Sequence, residues 1–416
     1  MIRLKSTDSY RVKKRSTVDR TAAEGRIMDY NFDKIIDRRG TASEKYDFLE
    51  KNGFSKDTLP MWVADMDFET VPEVKEKLKE LVEHGIYGYT GRTDGYYKAV
   101  CSWFSRRFQW KIDREWVIST PGIVFALAAA VRAFTNPGDG VMIQQPVYYP
   151  FESVIQRNHR TVVNNQLKLV GGRYEMDFEL MERQIREHHV KLFLLCSPHN
   201  PVGRVWTWEE LLKAAEICRK YDVLTAADEI HCDFVRKGFW HTSFGTLPEE
   251  FAARSIICTA PSKTFNLAGL QASNIIISNA ELRRRYLTEL NACASFGAGM
   301  FGLAACQTAY ETGEVWLTEL LAYLEQNYQY VKTFLAEYLP KIRLTELEGT
   351  YLIWMDFREY HFSDRELEEK MRHGANLWLD AGTMFGAGGR GFMRMNIAVP
   401  RKTLKEAMKR LKAAFS

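Results

Sequence analysis

From residue 114 onward the chain alternates between two patterns. The short runs EWVIST, GVMIQQP, RTVVNN, KLFLLCSP, VLTAADEI, SIICTA and SNIIISN are apolar and about as long as buried strands. Between them lie GIVFALAAAVRAF, YPFESVIQRN, DFELMERQIREHH and TWEELLKAAEICRKY, which read as helices. In the last of these, Thr207 is placed to cap, and Glu210 completes a capping box. Leu211, Leu212, Ala215 and Ile217 or Cys218 then give the helix an apolar face at spacings near three and four. Strands alternating with helices predict an α/β fold, with a mainly parallel sheet covered on both faces.

The pattern changes after about residue 310. One long helical stretch, VWLTELLAYLEQNYQYVKTFLAEYL, leads to isolated strands YLIWMDF and FMRMNIAV and a closing helix, TLKEAMKRLKAAF. This predicts a second, smaller α+β domain. Residues 28–75 have no clear period and read as an arm contributing to that smaller domain. The expected organisation is an extension over 1–27, the arm over 28–75, a large domain over 76–310 and a small domain over 311–416. A length of 416 residues suits two or three domains of roughly 150 residues each.

Charge modifies this picture only at the N-terminus. The net charge is +4, but residues 1–27 hold eight Lys/Arg against three Asp/Glu. Without them the balance is 49 basic to 50 acidic residues, so no nucleic-acid surface is implied. That segment has no apolar h-region, so it reads as a disordered or non-native extension before a natural start at Met28. No run of about 18 apolar residues is present, which argues against a membrane span. Seven cysteines are scattered with no C-x-x-C, as expected for reduced thiols in the cytoplasm.

In an open α/β sheet, ligands bind beyond the carboxyl ends of the strands. Several chemically capable residues fall at such ends. Lys263 follows SIICTA, where it reads either as a surface lysine or as a Schiff-base lysine for an aldehyde cofactor. Asp228 ends VLTAADEIH. It can cap a helix or hold the proton of a pyridinium nitrogen. Asn200 lies in the rigid turn CSPHNPVGRVW and can donate to a phenolate oxygen. Gly122, Ile123 and Val124 open a helix after STP, where free N–H groups suit an anion. Tyr148 or Tyr149, after GVMIQQP, can stack on a flat ring. Arg394 sits inside the apolar strand FMRMNIAV, and a buried guanidinium there suits an α-carboxylate. GAGGRG at 386–391 matches a dinucleotide fingerprint in form but precedes a strand, so it reads as a flexible loop. DEIHCD has no second ligand pair at zinc spacing, so no metal is expected.

Taken together, these motifs resemble fold-type I pyridoxal-phosphate enzymes of the aminotransferase superfamily. LPMWVADMDFETVPEV, HGIYGYTGR, SPHNPVGRVW, ADEIHCDFV, APSKTFNLAGL, GTYLIWMDF and FMRMNIAV are similar to the MalY/PatB branch of cystathionine β-lyases over about residues 28–416. The resemblance implies a sheet of the seven-stranded type and pyridoxal 5′-phosphate as cofactor. It makes Lys263 the cofactor-bound lysine and Cα base, and Tyr148, the ring-stacking aromatic, the second catalytic residue. Asp228, Asn200 and His231 would contact the ring side, and Gly122, Ile123 and Ser262 the phosphate. Tyr89 would reach the phosphate of a partner subunit in a homodimer. Arg394, with the backbone near Ala64, would hold the substrate carboxylate. Two positions depart from the wider aminotransferase pattern: His231 stands where Tyr is common, and Gln271 where an Arg often holds phosphate. The implied reaction is β-elimination from L-cystathionine or a related cysteine conjugate. The alternatives are an aminotransferase and a cofactor-bound regulatory protein.

Overall fold

Each apolar run named above becomes a strand in the computed structural model, which describes residues 30–416. The expected extension over 1–27 and the expected start at Met28 lie outside the described residues. The large sheet contains β1 (Val117–Thr120), β2 (Gly140–Ile143), β3 (Thr161–Asn164), β4 (Val190–Cys196), β5 (Leu224–Asp228), β6 (Ser255–Thr259) and β7 (Ser273–Ile276). Its order is β1-β7-β6-β5-β4-β2-β3. The pairs among β2 to β6 are parallel, and β7 runs antiparallel to both its neighbours, β1 and β6. The sheet therefore has seven strands and is mainly parallel, as expected.

Helices α1 (Pro72–His84), α2 (Asp94–Phe108), α3 (Ile123–Phe134), α4 (Pro150–Arg157), α5 (Phe178–Glu187) and α6 (Trp208–Lys220) precede or connect these strands. The capping box of α6 is formed, with Thr207 Oγ1 accepting from Glu210 N and the Glu210 carboxylate accepting from Thr207 N. α3 is central. Its Ala126, Ala129 and Ala130 are fully buried, and these small side chains let the helix lie close over the sheet. Its N-terminus is thereby fixed at the strand ends, which matters below.

A second sheet contains β8 (Arg343–Leu344), β9 (Leu352–Asp356), β10 (Asp380–Ala381) and β11 (Phe392–Asn396), antiparallel in the order β8-β9-β11-β10. The long helix and the closing helix of the sequence reading are α7 (Glu314–Tyr338) and α8 (Arg401–Phe415). The arm is tied to both sheets. Leu59–Pro60 pairs in parallel with Leu377–Trp378, and Met61 O accepts from Asn396 N at 2.8 Å. On the other side, Asn266 Oδ1 accepts from Met66 N, and Asn266 Nδ2 donates to Met66 O and Phe68 O. Among the described residues no helix is long and apolar enough to cross a membrane.

The glycine-rich segment before β11 is tighter than its sequence suggests. It forms short 3-10 turns, Gly382–Phe385 and Ala387–Gly389. A Cβ on Gly389 would lie 1.9 Å from Gly382 O, and Gly386 has φ +110°, so these glycines permit close backbone packing. They do not form the flexible loop expected from GAGGRG.

Candidate active site

One edge of the large sheet carries the chemistry. β1, β2, β4, β5 and β6 all end there, and the residues just past them line one cavity of about 170 Å³. β7 runs the other way, so the residues that precede it, Gln271 and Ala272, reach the same cavity.

Asp228 is the last residue of β5 and is paired on both sides, opposite Cys196 and Cys258. Its backbone is fixed, and its carboxylate accepts from Ile230 N at 3.1 Å. Among the described residues it forms no ion pair. Burial pushes its pKa up to about 7, because a desolvated carboxylate resists ionisation. Glu229, next in the chain, turns away and is taken up by His241 Nε2 at 3.1 Å and Phe244 N at 2.7 Å.

Lys263 lies in a single helical turn, Pro261–Thr264, directly after β6. Its Nζ donates to Ala64 O at 2.6 Å, the carbonyl that also accepts from Tyr351 Oη at 3.0 Å. Desolvation lowers the lysine to about pH 8, so a useful fraction is neutral amine near neutral pH. Thr264 Oγ1 donates to buried Asp233, which Arg107 Nε also contacts, and this pins the turn from behind.

Arg394 comes from β11. It donates from Nη1 to Asn200 Oδ1 at 2.9 Å and from Nη2 to Trp62 O at 2.8 Å and to Asp380. With its oxygen engaged, Asn200 has its amide Nδ2 left to donate. α3 starts at Gly122 with no side-chain cap, so its first N–H groups are free for an anion beside the Ser262 hydroxyl. Burial raises the Tyr148 phenol and lowers His231 well below the usual imidazole range. Near neutral pH the first stays protonated and the second uncharged. The amine of Lys263 can hold a carbonyl carbon, Asp228 a cationic ring nitrogen, and the start of α3 a phosphate.

The cavity brings together Lys263, Asp228, Asn200, His231 and Tyr148. It also takes in Gly122, Ile123, Ser262, Arg394 and Ala64. Tyr89 is not brought there: it stands fully exposed in its own chain. Trp62, Cys196 and Asp380 line the cavity without having been singled out in the sequence. Asp380 had a readable signal. It is a carboxylate bounded by apolar residues in LWLDAG, just as Arg394 is a cation inside an apolar strand, and the two are cross-strand partners.

Residues 56–411 match the family model described as aminotransferase class I and II. The chain is 44% identical to the cystathionine β-lyase PatB of Bacillus subtilis, over 93% of this chain and 100% of that one. Its structure is similar to that of cystalysin from Treponema denticola, which contains a pyridoxal 5′-phosphate cofactor. The TM-score is 0.90 and the identity 40%, covering 93% of this chain and 99% of the other. The PLP-bound C-S lyase from Staphylococcus hominis aligns with a TM-score of 0.87 at 34% identity, covering 94% and 99%. A cavity at the strand ends with a desolvated lysine, on a chain matched almost end to end, places this protein in the aminotransferase class I and II family.

Proposed function

We propose that the chain is a pyridoxal-phosphate-dependent carbon–sulfur β-lyase. It cleaves L-cystathionine and related cysteine S-conjugates to a thiol such as L-homocysteine, pyruvate and ammonia. The observation that carries the reading is its end-to-end similarity to a cystathionine β-lyase, joined to a cavity in which Lys263, Asp228 and Arg394 converge.

The residues present fit the cofactor. Asp228 is a buried carboxylate in want of a cation, and a protonated ring nitrogen supplies one. The space around Gly122 is open, with nothing within 4 Å of where a Cβ would stand, next to uncapped N–H groups suited to a phosphate. When bound, the cofactor supplies an electron sink for the substrate's Cα.

Lys263 Nζ would hold the cofactor's carbonyl carbon, and its amine would take the substrate's Cα proton. Asp228 keeps the ring nitrogen protonated. Asn200 would donate to the ring's phenolic oxygen, Tyr148 would be the aromatic beside the ring, and His231 would lie on the ring side as a neutral group. Gly122, Ile123 and Ser262 bind the phosphate. Arg394 and the backbone at Ala64 orient the α-carboxylate, so that the Cα proton faces Lys263. The Cα–H and Cβ–S bonds break, the thiol leaves with a proton, and water completes the conversion to pyruvate and ammonia.

On this reading residues 76–310 supply the cofactor groups within the chain. Residues 311–416 and the arm complete the substrate side. The protein acts as a cytoplasmic homodimer in which Tyr89 reaches the partner subunit's phosphate site. The exposure of Ile86, Tyr87 and Tyr89 in a segment without regular structure supports that assembly. The test is pyruvate formation from L-cystathionine by the pyridoxal-phosphate-loaded protein with no keto acid present. Multiple turnovers with one thiol per pyruvate are expected. Amino-group transfer only after a keto acid is added would replace the lyase with an aminotransferase.

A further inference from the structure

Arg394 is already held by the protein itself. Both hydrogens of Nη2 are engaged, one by Trp62 O at 2.8 Å and one by Asp380. Nη1 donates one hydrogen to Asn200 Oδ1. Nε is buried and has no partner. A guanidinium offers a carboxylate two forks, Nε with Nη2 and Nη1 with Nη2. Both forks use Nη2, so neither is free while Asp380 stays in place.

The placement of Asp380 is built in. It faces Arg394 in register across β10 and β11, and each residue is 2% exposed. The carboxylate is therefore anchored by sheet backbone beside the guanidinium, and it lines the cavity. A buried guanidinium without an anion would be costly, and Asp380 balances it. Trp62 O, the other acceptor, is a neutral carbonyl and competes far less for a full positive charge.

We propose that Asp380 is an internal counter-ion that the α-carboxylate of an amino-acid substrate must displace from Arg394 Nη2 before it can bind through two hydrogen bonds. The inference rests on Arg394 being the carboxylate receptor of the proposed lyase. It makes Asp380 a residue that sets the affinity for carboxylates by opposing them. A residue that merely steadied Arg394 would have the opposite effect when lost.

The test is calorimetric titration of pyridoxal-phosphate-loaded protein with propionate, a monocarboxylate that has no amine to react. Asp380→Asn keeps the shape and removes the charge, and it is expected to tighten propionate binding by about tenfold, since ionised acceptors bond roughly twice as strongly as neutral ones. Unchanged or weaker binding overturns the proposal. If the asparagine variant does not fold, Asp380→Ser is read by the same two outcomes. Arg394→Ala is titrated in parallel. If it binds propionate as the parent does, Arg394 is not the receptor, and the functional assignment of that residue falls together with the proposal. Loss of binding in Arg394→Ala without tightening in either Asp380 variant removes the proposal alone.

Discussion

Two desolvated groups of opposite sign define the site at the scale of single residues. Burial lowers Lys263 to about 8 and raises Asp228 to about 7. Neither has its charge compensated by a close ion pair among the described residues, so each is poised for a bound group to complete. On the proposed reading, Lys263→Ala removes the nucleophile and the proton acceptor together. It is expected to abolish pyruvate formation, and the bound cofactor's absorbance should match that of free cofactor in the same buffer. Asp228 gives a prediction that needs no cofactor. Its folded pKa lies above the unfolded value, so between about pH 4 and 7 the folded state holds a proton that the unfolded state has lost. The contribution of this residue to stability therefore falls as pH rises through that window. Thermal melts of the cofactor-free protein and of Asp228→Asn should show it: parent minus variant melting temperature declines from pH 4 to pH 7. A flat difference would mean that Asp228 is not desolvated as described. In the sequence, Lys263 and Asp228 were legible because each closes an apolar run. Asp380 carried the same apolar signal, but its pairing with Arg394 was not legible, because the strand partner lies 14 residues later and only the fold brings it alongside.

Among the elements, the arm was the hardest to read, and its Trp62 and Ala64 line the cavity. β4 and β5 announced themselves as short, nearly continuous apolar runs buried on both faces, and α6 by apolar positions at helical spacing. The arm has no such pattern. Its strand Leu59–Pro60 is defined by Leu377–Trp378, more than 300 residues away, and a short peptide that pairs so remotely leaves no periodic trace. The same holds for Trp62, which stacks on Trp378 with ring centroids 4.4 Å apart and lines the cavity. Asn266, three residues past the lysine, is the clasp between the arm and the lysine's turn. Removing its side chain would leave Met66 N–H and Phe68 O without the bonds they now make, at a cost of about 1–3 kcal/mol for each buried group left unpaired. Asn266→Ala should therefore loosen the arm selectively. Hydrogen–deuterium exchange over residues 61–68 is expected to quicken while β4 and β5 keep their protection. Unchanged exchange in the arm would show that its other ties, such as Leu59–Pro60 and Met61 O with Asn396 N, hold it without Asn266.

At the scale of the molecule, one predicted site residue is out of reach of its own cavity. Tyr89 is fully exposed, and residues 85–93 around it are exposed throughout, with no regular structure until α2 begins at Asp94. An aromatic so placed either serves nothing or serves another copy of the chain, and a twofold dimer would give each site one such residue from across the interface. Hybrid dimers decide between these. Lys263→Ala and Tyr89→Ala are each expected to give little or no pyruvate alone. When the two are co-expressed and pair at random, half of the dimers carry one chain of each kind. If Tyr89 acts across the interface, both defects fall in one site of the hybrid and the other site is intact, so about a quarter of all sites regain full activity. If Tyr89 acts within its own chain, every hybrid holds two singly damaged sites and mixing restores nothing. Recovery toward a quarter of the parent rate would therefore establish that the site is completed by a second subunit. Its absence, with both variants folded, dimeric and inactive alone, would place Tyr89 in the site of its own chain, whereas full activity of Tyr89→Ala alone would return Tyr89 to the surface and leave the phosphate to α3, Ser262 and Gln271.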